Sequence, residues 1–214
     1  MKTKLQRVAP MDIEERSMEI LTAELGERDF LPEEFAVIKR AIHASADFEY
    51  ADNLAFSPEA VQKGVAAIKA GCTIVTDTQM AWSGVNKRIL AKFGGHAVCF
   101  MSDPDVSEEA KRRGETRATV SMERATKLEG PVIFAIGNAP TALVRLCDML
   151  DGGEIAPALI IGAPVGFVNV VESKELLLRK DVPYIVARGR KGGSNIAAAI
   201  CNAMLYLASG NKRS

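Results

Sequence analysis

The sequence contains two histidines, His43 and His96, one tryptophan and only 6% aromatic residues. So few imidazoles argue against a His-rich metal site, and so few rings offer no platform for stacking nucleic-acid bases. Neither charge is in excess, since 27 Lys and Arg balance 27 Asp and Glu. Nothing global therefore favours nucleic acid or an anionic membrane, and any anion site must be a local arrangement. The four cysteines, Cys72, Cys99, Cys147 and Cys201, form no C-x-x-C pair and sit in or at the edge of apolar runs, where buried free thiols are the expectation. The most apolar stretch, Pro157 to Val171, is short and broken by Gly162, Pro164, Gly166 and Asn169, so it does not read as a membrane span. Met1 to Val8 is polar, with no apolar centre for a signal peptide, and a cytoplasmic location is expected. H-E-x-x-H, Cys–His metal spacing and a Ser-His-Asp order are all missing.

What is present suits one globular domain over 1–214, with 48% apolar and 25% charged residues. A chain of this length buries about 70% of its unfolded surface and can build its own core. Continuous Val- and Ile-rich runs mark strands at Cys72–Thr78, Ala97–Met101, Val132–Gly137, Ala158–Ala163 and Tyr184–Arg188. Runs that do not alternate are the signature of strands covered on both faces. Helical patterns lie at Asp12–Leu25, Phe35–Ser45, Glu59–Ala70, Ala139–Leu150, Lys174–Lys180 and Ser194–Ala208. Ser57 with Pro58 reads as the N-cap and first turn of the third, and Ser173 as the cap of the fifth. The order predicts an α/β fold: a mostly parallel β-sheet with helices on both faces, a Rossmann-like three-layer single domain.

Ligands in such folds bind beyond the carboxyl ends of the strands. Those ends carry Thr76, Asp77 and Thr78; Ser102 and Asp103; Gly137 and Asn138; Gly162 to Gly166; and Arg188 to Ser194. The last of these, Arg188-Gly-Arg-Lys-Gly-Gly-Ser194, brings three cations and three glycines to a helix start. Unpaired amides and a helix dipole favour anions there, although a solvated basic turn has the same composition. It is neither G-x-G-x-x-G nor a Walker A loop, because Lys191 precedes its glycine pair. Asn138 is placed either to cap the next helix or to donate to a ligand. Arg117, in Thr116-Arg-Ala-Thr119, is either a surface arginine or an anion contact.

Arg40, His43 and Asp47 are spaced to share one helical face, with Val37, Ile38, Ala41 and Ile42 facing elsewhere. His43 is suited to proton transfer near neutral pH, and a carboxylate one turn on would orient its ring. A plain surface His–Asp pair has the same spacing and is the commoner outcome. His96, beside Gly95, reads as structural.

Taken together, several blocks resemble one family. They are Ile13-Glu-Glu-Arg-Ser-Met18, Ile42-His to Asp47-Phe-Glu-Tyr50, Thr76-Asp-Thr-Gln-Met80, Thr116-Arg-Ala-Thr119, Ile136-Gly-Asn-Ala-Pro-Thr-Ala-Leu143, Pro164-Val-Gly-Phe-Val168, Glu172-Ser-Lys174 and the Arg188–Ser194 loop. In this order, over about residues 10 to 208, they are similar to the precorrin-8X methylmutases (precorrin isomerases), which include the cobalt-precorrin-8 methylmutases. The resemblance implies an isomerase of cobalamin biosynthesis. It would move a methyl group from ring carbon 11 to carbon 12 of precorrin-8X or cobalt-precorrin-8, giving hydrogenobyrinate or cobyrinate.

It further implies His43 as the acid, and Ser17, Arg40, Asp77, Thr78, Arg117, Asn138, Arg188, Gly192 and Ser194 as substrate contacts. No cofactor and no metal are needed for an intramolecular shift. The implied partners are the tetrapyrrole and a second copy of the chain, a homodimer with the active site near its interface, with no nucleic acid or membrane. No residue set reads cobalt, and the widespread cobalt form is the expected substrate. Two departures stand out: Asn169-Val-Val171 where the family has small residues, and the bulk of Trp82. A non-catalytic tetrapyrrole carrier would show the same binding features. A nucleotide-dependent oxidoreductase is the third reading, disfavoured by the missing glycine fingerprint.

Overall fold

The computed structural model describes residues 6–210, so the expectations on the ends of 1–214 and on the start of Met1–Val8 lie partly outside it. Helices α1 (Ile13–Leu25), α2 (Pro32–Ser45) and α3 (Tyr50–Asn53) lead into strand β1 (Leu54–Phe56). Then follow α4 (Ala60–Lys69), β2 (Thr73–Thr76), α5 (Gln79–Gly84), α6 (Lys87–Lys92) and β3 (His96–Val98). The remainder runs α7 (Pro104–Arg113), α8 (Arg117–Arg124), β4 (Val132–Ile136), α9 (Pro140–Asp151), β5 (Leu159–Gly162), α10 (Val170–Leu177), β6 (Tyr184–Ala187) and α11 (Ser194–Ala208).

The six strands form one sheet in the order β1-β6-β5-β4-β2-β3. All pairings are parallel except that of β1 with β6. Successive residues of each central strand feed opposite faces. Ile133, Ala135, Ile161 and Ile185 join the core under α2, α4 and α11, whereas Phe134, Ile136, Ile160 and Val186 join the core under α8, α9 and α10. That is why these strands read as unbroken apolar runs.

The sheet is thus mixed and mostly parallel, with helices on both faces, as expected. The strand order adds what the sequence left open. Counted among themselves, the parallel strands run 2-1-3-4-5, the flavodoxin-type order, and the winding reverses between β2 and β4. Strand β1, the short helix α3 and helices α5 to α8 were not expected from the sequence.

Two caps also differ. Helix α4 starts at Ala60 behind Glu59, which has φ 59°, and Ser57 Oγ instead accepts the Tyr184 N–H at 2.9 Å. Ser173 lies inside α10 and its hydroxyl donates to Val170 O at 3.0 Å. Asn169, one of the two departures, has φ 56° at the start of α10, a conformation asparagine tolerates. Trp82 Nε1 donates to Ala97 O at 2.9 Å, and the exposed His96 meets Thr73 Oγ1 at 3.3 Å. All four cysteines are free, and three are buried. No helix among the described residues is long and apolar enough to cross a membrane.

Candidate active site

His43 sits half-buried near the C-terminal end of α2. Val37, Ile38, Ala41 and Ile42 of the same helix are buried, as their spacing predicted. The helix stops before Asp47, because Ala46 turns left-handed (φ 56°) and its N–H returns to Ile42 O. The expected one-turn relation between His43 and Asp47 is therefore broken. Asp47 instead ion-pairs with Lys191 Nζ at 2.7 Å, and Glu49 meets the same ammonium at 2.9 Å. The hydrogen bond from Lys191 holds the Asp47 carboxyl below its ordinary pKa.

The ring of His43 is met from α1. Ser17 Oγ lies 3.1 Å from Nδ1. Three residues earlier on both helices, Arg40 Nη1 contacts Glu14 Oε1 at 2.5 Å, with the guanidinium 4.9 Å from the centre of the Tyr206 ring. The two contacts advance together along α1 and α2.

The strand ends supply the other half of the site. Asp77, just past β2, is fully buried. Its carboxylate accepts the amides of Gly137 (2.8 Å), Asn138 (2.8 Å) and Ala139 (2.7 Å) across the switch point. Burial pushes its pKa up, and the three N–H groups pull it back. Every recorded contact of the two oxygens is with a donor, so the ionised carboxylate is the form this geometry accommodates. Asp77 was expected to touch substrate; with both oxygens engaged inside the protein, it shapes the β4–α9 turn instead.

Next to it, Thr78 Oγ1 and Ser194 Oγ are 2.7 Å apart. Gly137 lies so close to the start of α11 that a Cβ there would stand 2.6 Å from Ser194 Cα. Gly192 is packed harder still: its Cβ would fall 2.2 Å from Ala163 O. The Gly193 N–H donates to that same oxygen at 2.8 Å. The basic loop is therefore pressed onto the end of β5. Lys191 links it to the segment just after α2, and Asn195 Nδ2 at the start of α11 reaches Ala44 O of α2 at 3.4 Å. So Ser17, His43, Thr78, Asn138, Gly192 and Ser194 occupy elements that are tied to one another.

Asn138 is exposed, and α9 has no side-chain N-cap, which removes the capping role left open for it. Arg117 opens α8 and donates to Met101 O at 3.3 Å; its neighbour Thr116 joins α8 to α9 through Thr141 at 2.9 Å. Arg40 and Arg188 already hold carboxylates, Glu14 and Glu175 respectively. A ligand anion would have to share each guanidinium with that carboxylate or replace it, which spacing could not show. Arg190, one of the three cations expected in the loop, lies over the exposed Phe167 ring at 5.6 Å. Lys174 is wholly buried beneath the loop, a place toward which only the Glu172-Ser-Lys174 block pointed.

A family model described as precorrin-8X methylmutase matches residues 12–207. The cobalt-precorrin-8 methylmutase of Priestia megaterium is 48% identical over 94% of this chain and 89% of its own. The precorrin-8X methylmutase of Pseudomonas aeruginosa is 45% identical over 77% of this chain and 80% of its own. In structure, the precorrin-8X methyl mutase of Thermus thermophilus superposes with a TM-score of 0.85 at 40% identity, covering 93% of this chain and 98% of that one. The chain belongs to the precorrin-8X methylmutase family. It is an isomerase that moves a methyl group on precorrin-8X or cobalt-precorrin-8 to give hydrogenobyrinate or cobyrinate. Membership decides for an enzyme over a carrier or an oxidoreductase.

Proposed function

We propose that His43 is the proton donor of this methyl shift from ring carbon 11 to carbon 12. The observation that carries the reading is the Ser17–His43 contact on a helix end tied to the strand-end rim. A protonated imidazole lends its proton to the conjugated macrocycle, which leaves the neighbouring carbon electron-poor. The methyl leaves carbon 11 with its bonding pair as its bond to carbon 12 forms, and the proton returns to the ring of His43. Substrate and product are isomers, and the enzyme ends as it began.

Ser17 orients the imidazole, and Thr78, Asn138 and Ser194 contact the macrocycle. Arg117, Arg188, Arg40 and the Gly189–Ser194 loop take its peripheral carboxylates. Cobalt-precorrin-8 is assigned as the first substrate, on the relative with 48% identity. The protein works in the cytoplasm as a homodimer whose second copy closes the site. Exposed apolar side chains at Met80, Phe167 and Val168, all following strand ends, support such a cover.

Incubation of the purified protein with each substrate, followed by visible spectra and sedimentation, tests the reading. Conversion by a dimer is expected. Bound but unconverted tetrapyrrole, or a monomer at full activity, contradicts it.

A further inference from the structure

Lys174 on α10 has 0% of its surface exposed. A buried ammonium is disfavoured unless an anion accompanies it. Among the described residues no carboxylate pairs with it; Nζ donates to the carbonyls of Gly189 and Lys191, each at 2.8 Å. Burial lowers its pKa to about 8. A methionine would fill the same space without that cost, so the charge calls for another explanation than packing.

The neighbouring carbonyls of the loop are engaged too. Arg190 O accepts the Gly166 N–H at 3.2 Å, and Gly193 O accepts those of Ile196 and Ala197, each at 3.0 Å. The amides behave differently. Among the described residues, those of Gly189, Arg190, Lys191 and Gly192 have no acceptor in the protein. Carbonyls engaged by the protein and consecutive amides left over are the ingredients of an anion-binding nest.

We propose that Lys174 is a positioning residue for substrate binding: by drawing the Gly189 and Lys191 carbonyls inward, it holds the Gly189–Gly192 amides where a peripheral carboxylate of the macrocycle meets them. This rests on the assignment of that loop to the substrate's carboxylates. Lys174 itself touches no substrate. Its counterpart across the sheet is Asp77, which captures the amides of the Gly137–Ala139 turn and so withdraws them from any anion. One buried charge thus closes a loop to anions and the other opens one.

Lys174→Met, Lys174→Gln and Lys174→Arg, compared with the wild type in turnover and in titration with the hydrogenobyrinate or cobyrinate product, test this. Lys174→Met is expected to raise KM and the product Kd by roughly tenfold to a hundredfold, the range for losing hydrogen bonds with charged groups, with kcat within a few-fold. Lys174→Arg, which keeps the charge, is expected to recover part of the affinity. Should Lys174→Met fail to fold, Lys174→Gln is expected to show the same rise in KM. A folded Met or Gln variant with wild-type KM and Kd, or a loss confined to kcat, overturns the inference. Gly192→Ala tests the loop assignment on its own: wild-type product affinity there would overturn that assignment, and the Lys174 inference with it.

Discussion

The hydroxyl of Ser17 stands 3.1 Å from Nδ1 of His43, joining α1 to α2 across 26 residues of chain. The contact fixes how the imidazole is presented, and on the proposed mechanism it accepts the Nδ1 proton of the charged ring. Ser17→Ala keeps the acid and loosens its orientation. One hydrogen bond to a charged group is worth roughly 1.5 kcal/mol, so kcat is expected to fall about tenfold with product affinity unchanged. Single-turnover rates check this; a variant as fast as the wild type would remove Ser17 from the mechanism.

Asp77 ties β2 to the turn after β4 through three amides. In Asp77→Asn a side-chain NH2 must face one of those N–H groups inside the protein. A cost of about 3 kcal/mol is expected, seen as a fall in Tm of roughly 6–12 °C. Thermal unfolding measures it, and an unchanged Tm would mean that the turn does not depend on the carboxylate.

Gly192 and Gly189 differ in their surroundings. A Cβ at Gly192 would lie 2.2 Å from Ala163 O and 2.6 Å from Pro164 O, whereas one at Gly189 (φ +73°) meets nothing within 4 Å. Gly189→Ala is therefore expected to cost only the left-handed backbone penalty, about 1 kcal/mol. Gly192→Ala must move backbone against backbone and is expected to cost at least twice that. Urea unfolding of the two variants orders them; the reverse order would contradict the packing of the loop on β5.

Burial holds the Lys174 pKa near 8 in the folded protein, and an unfolded lysine titrates near ~10.4. Between those values the unfolded chain binds more protons, so stability rises with pH there. The charged lysine destabilises the fold fully below about pH 8, and that penalty is relieved as pH rises toward the unfolded value. Stability of Lys174→Met relative to the wild type is expected to drop between pH 7 and pH 10 by up to about 3 kcal/mol. Denaturant titrations at both pH values read this difference. A constant difference would show that Lys174 is not titrating in the interior.

How much was legible in the sequence follows from which partners were local. The strands β2, β4, β5 and β6 stood out because both faces are buried, which leaves unbroken apolar runs. Strand β1 did not, since three residues at a sheet edge carry no pattern. The expected cap at Ser57 failed because a distant partner, the Tyr184 N–H, took the hydroxyl, and the one at Ser173 because α10 already begins at Val170. The His43–Asp47 pairing presumed a continuing helix, and one left-handed residue, Ala46, ended it. Lys174 was opaque for a similar reason. Flanked by Ser173 and Glu175, it reads as a solvated helix face, and only the loop folded over α10 buries it. The strand-end rim was legible, because the glycines and polar residues that end each strand are local signals.

Proton donation by His43 carries the proposed mechanism. The most direct measurement is single-turnover conversion of precorrin-8X or cobalt-precorrin-8 by His43→Asn, alongside titration with the coloured product. A rate lower by about 10²- to 10⁴-fold is expected, with product still bound at near wild-type affinity. Methyl migration at the wild-type rate in His43→Asn would contradict that mechanism.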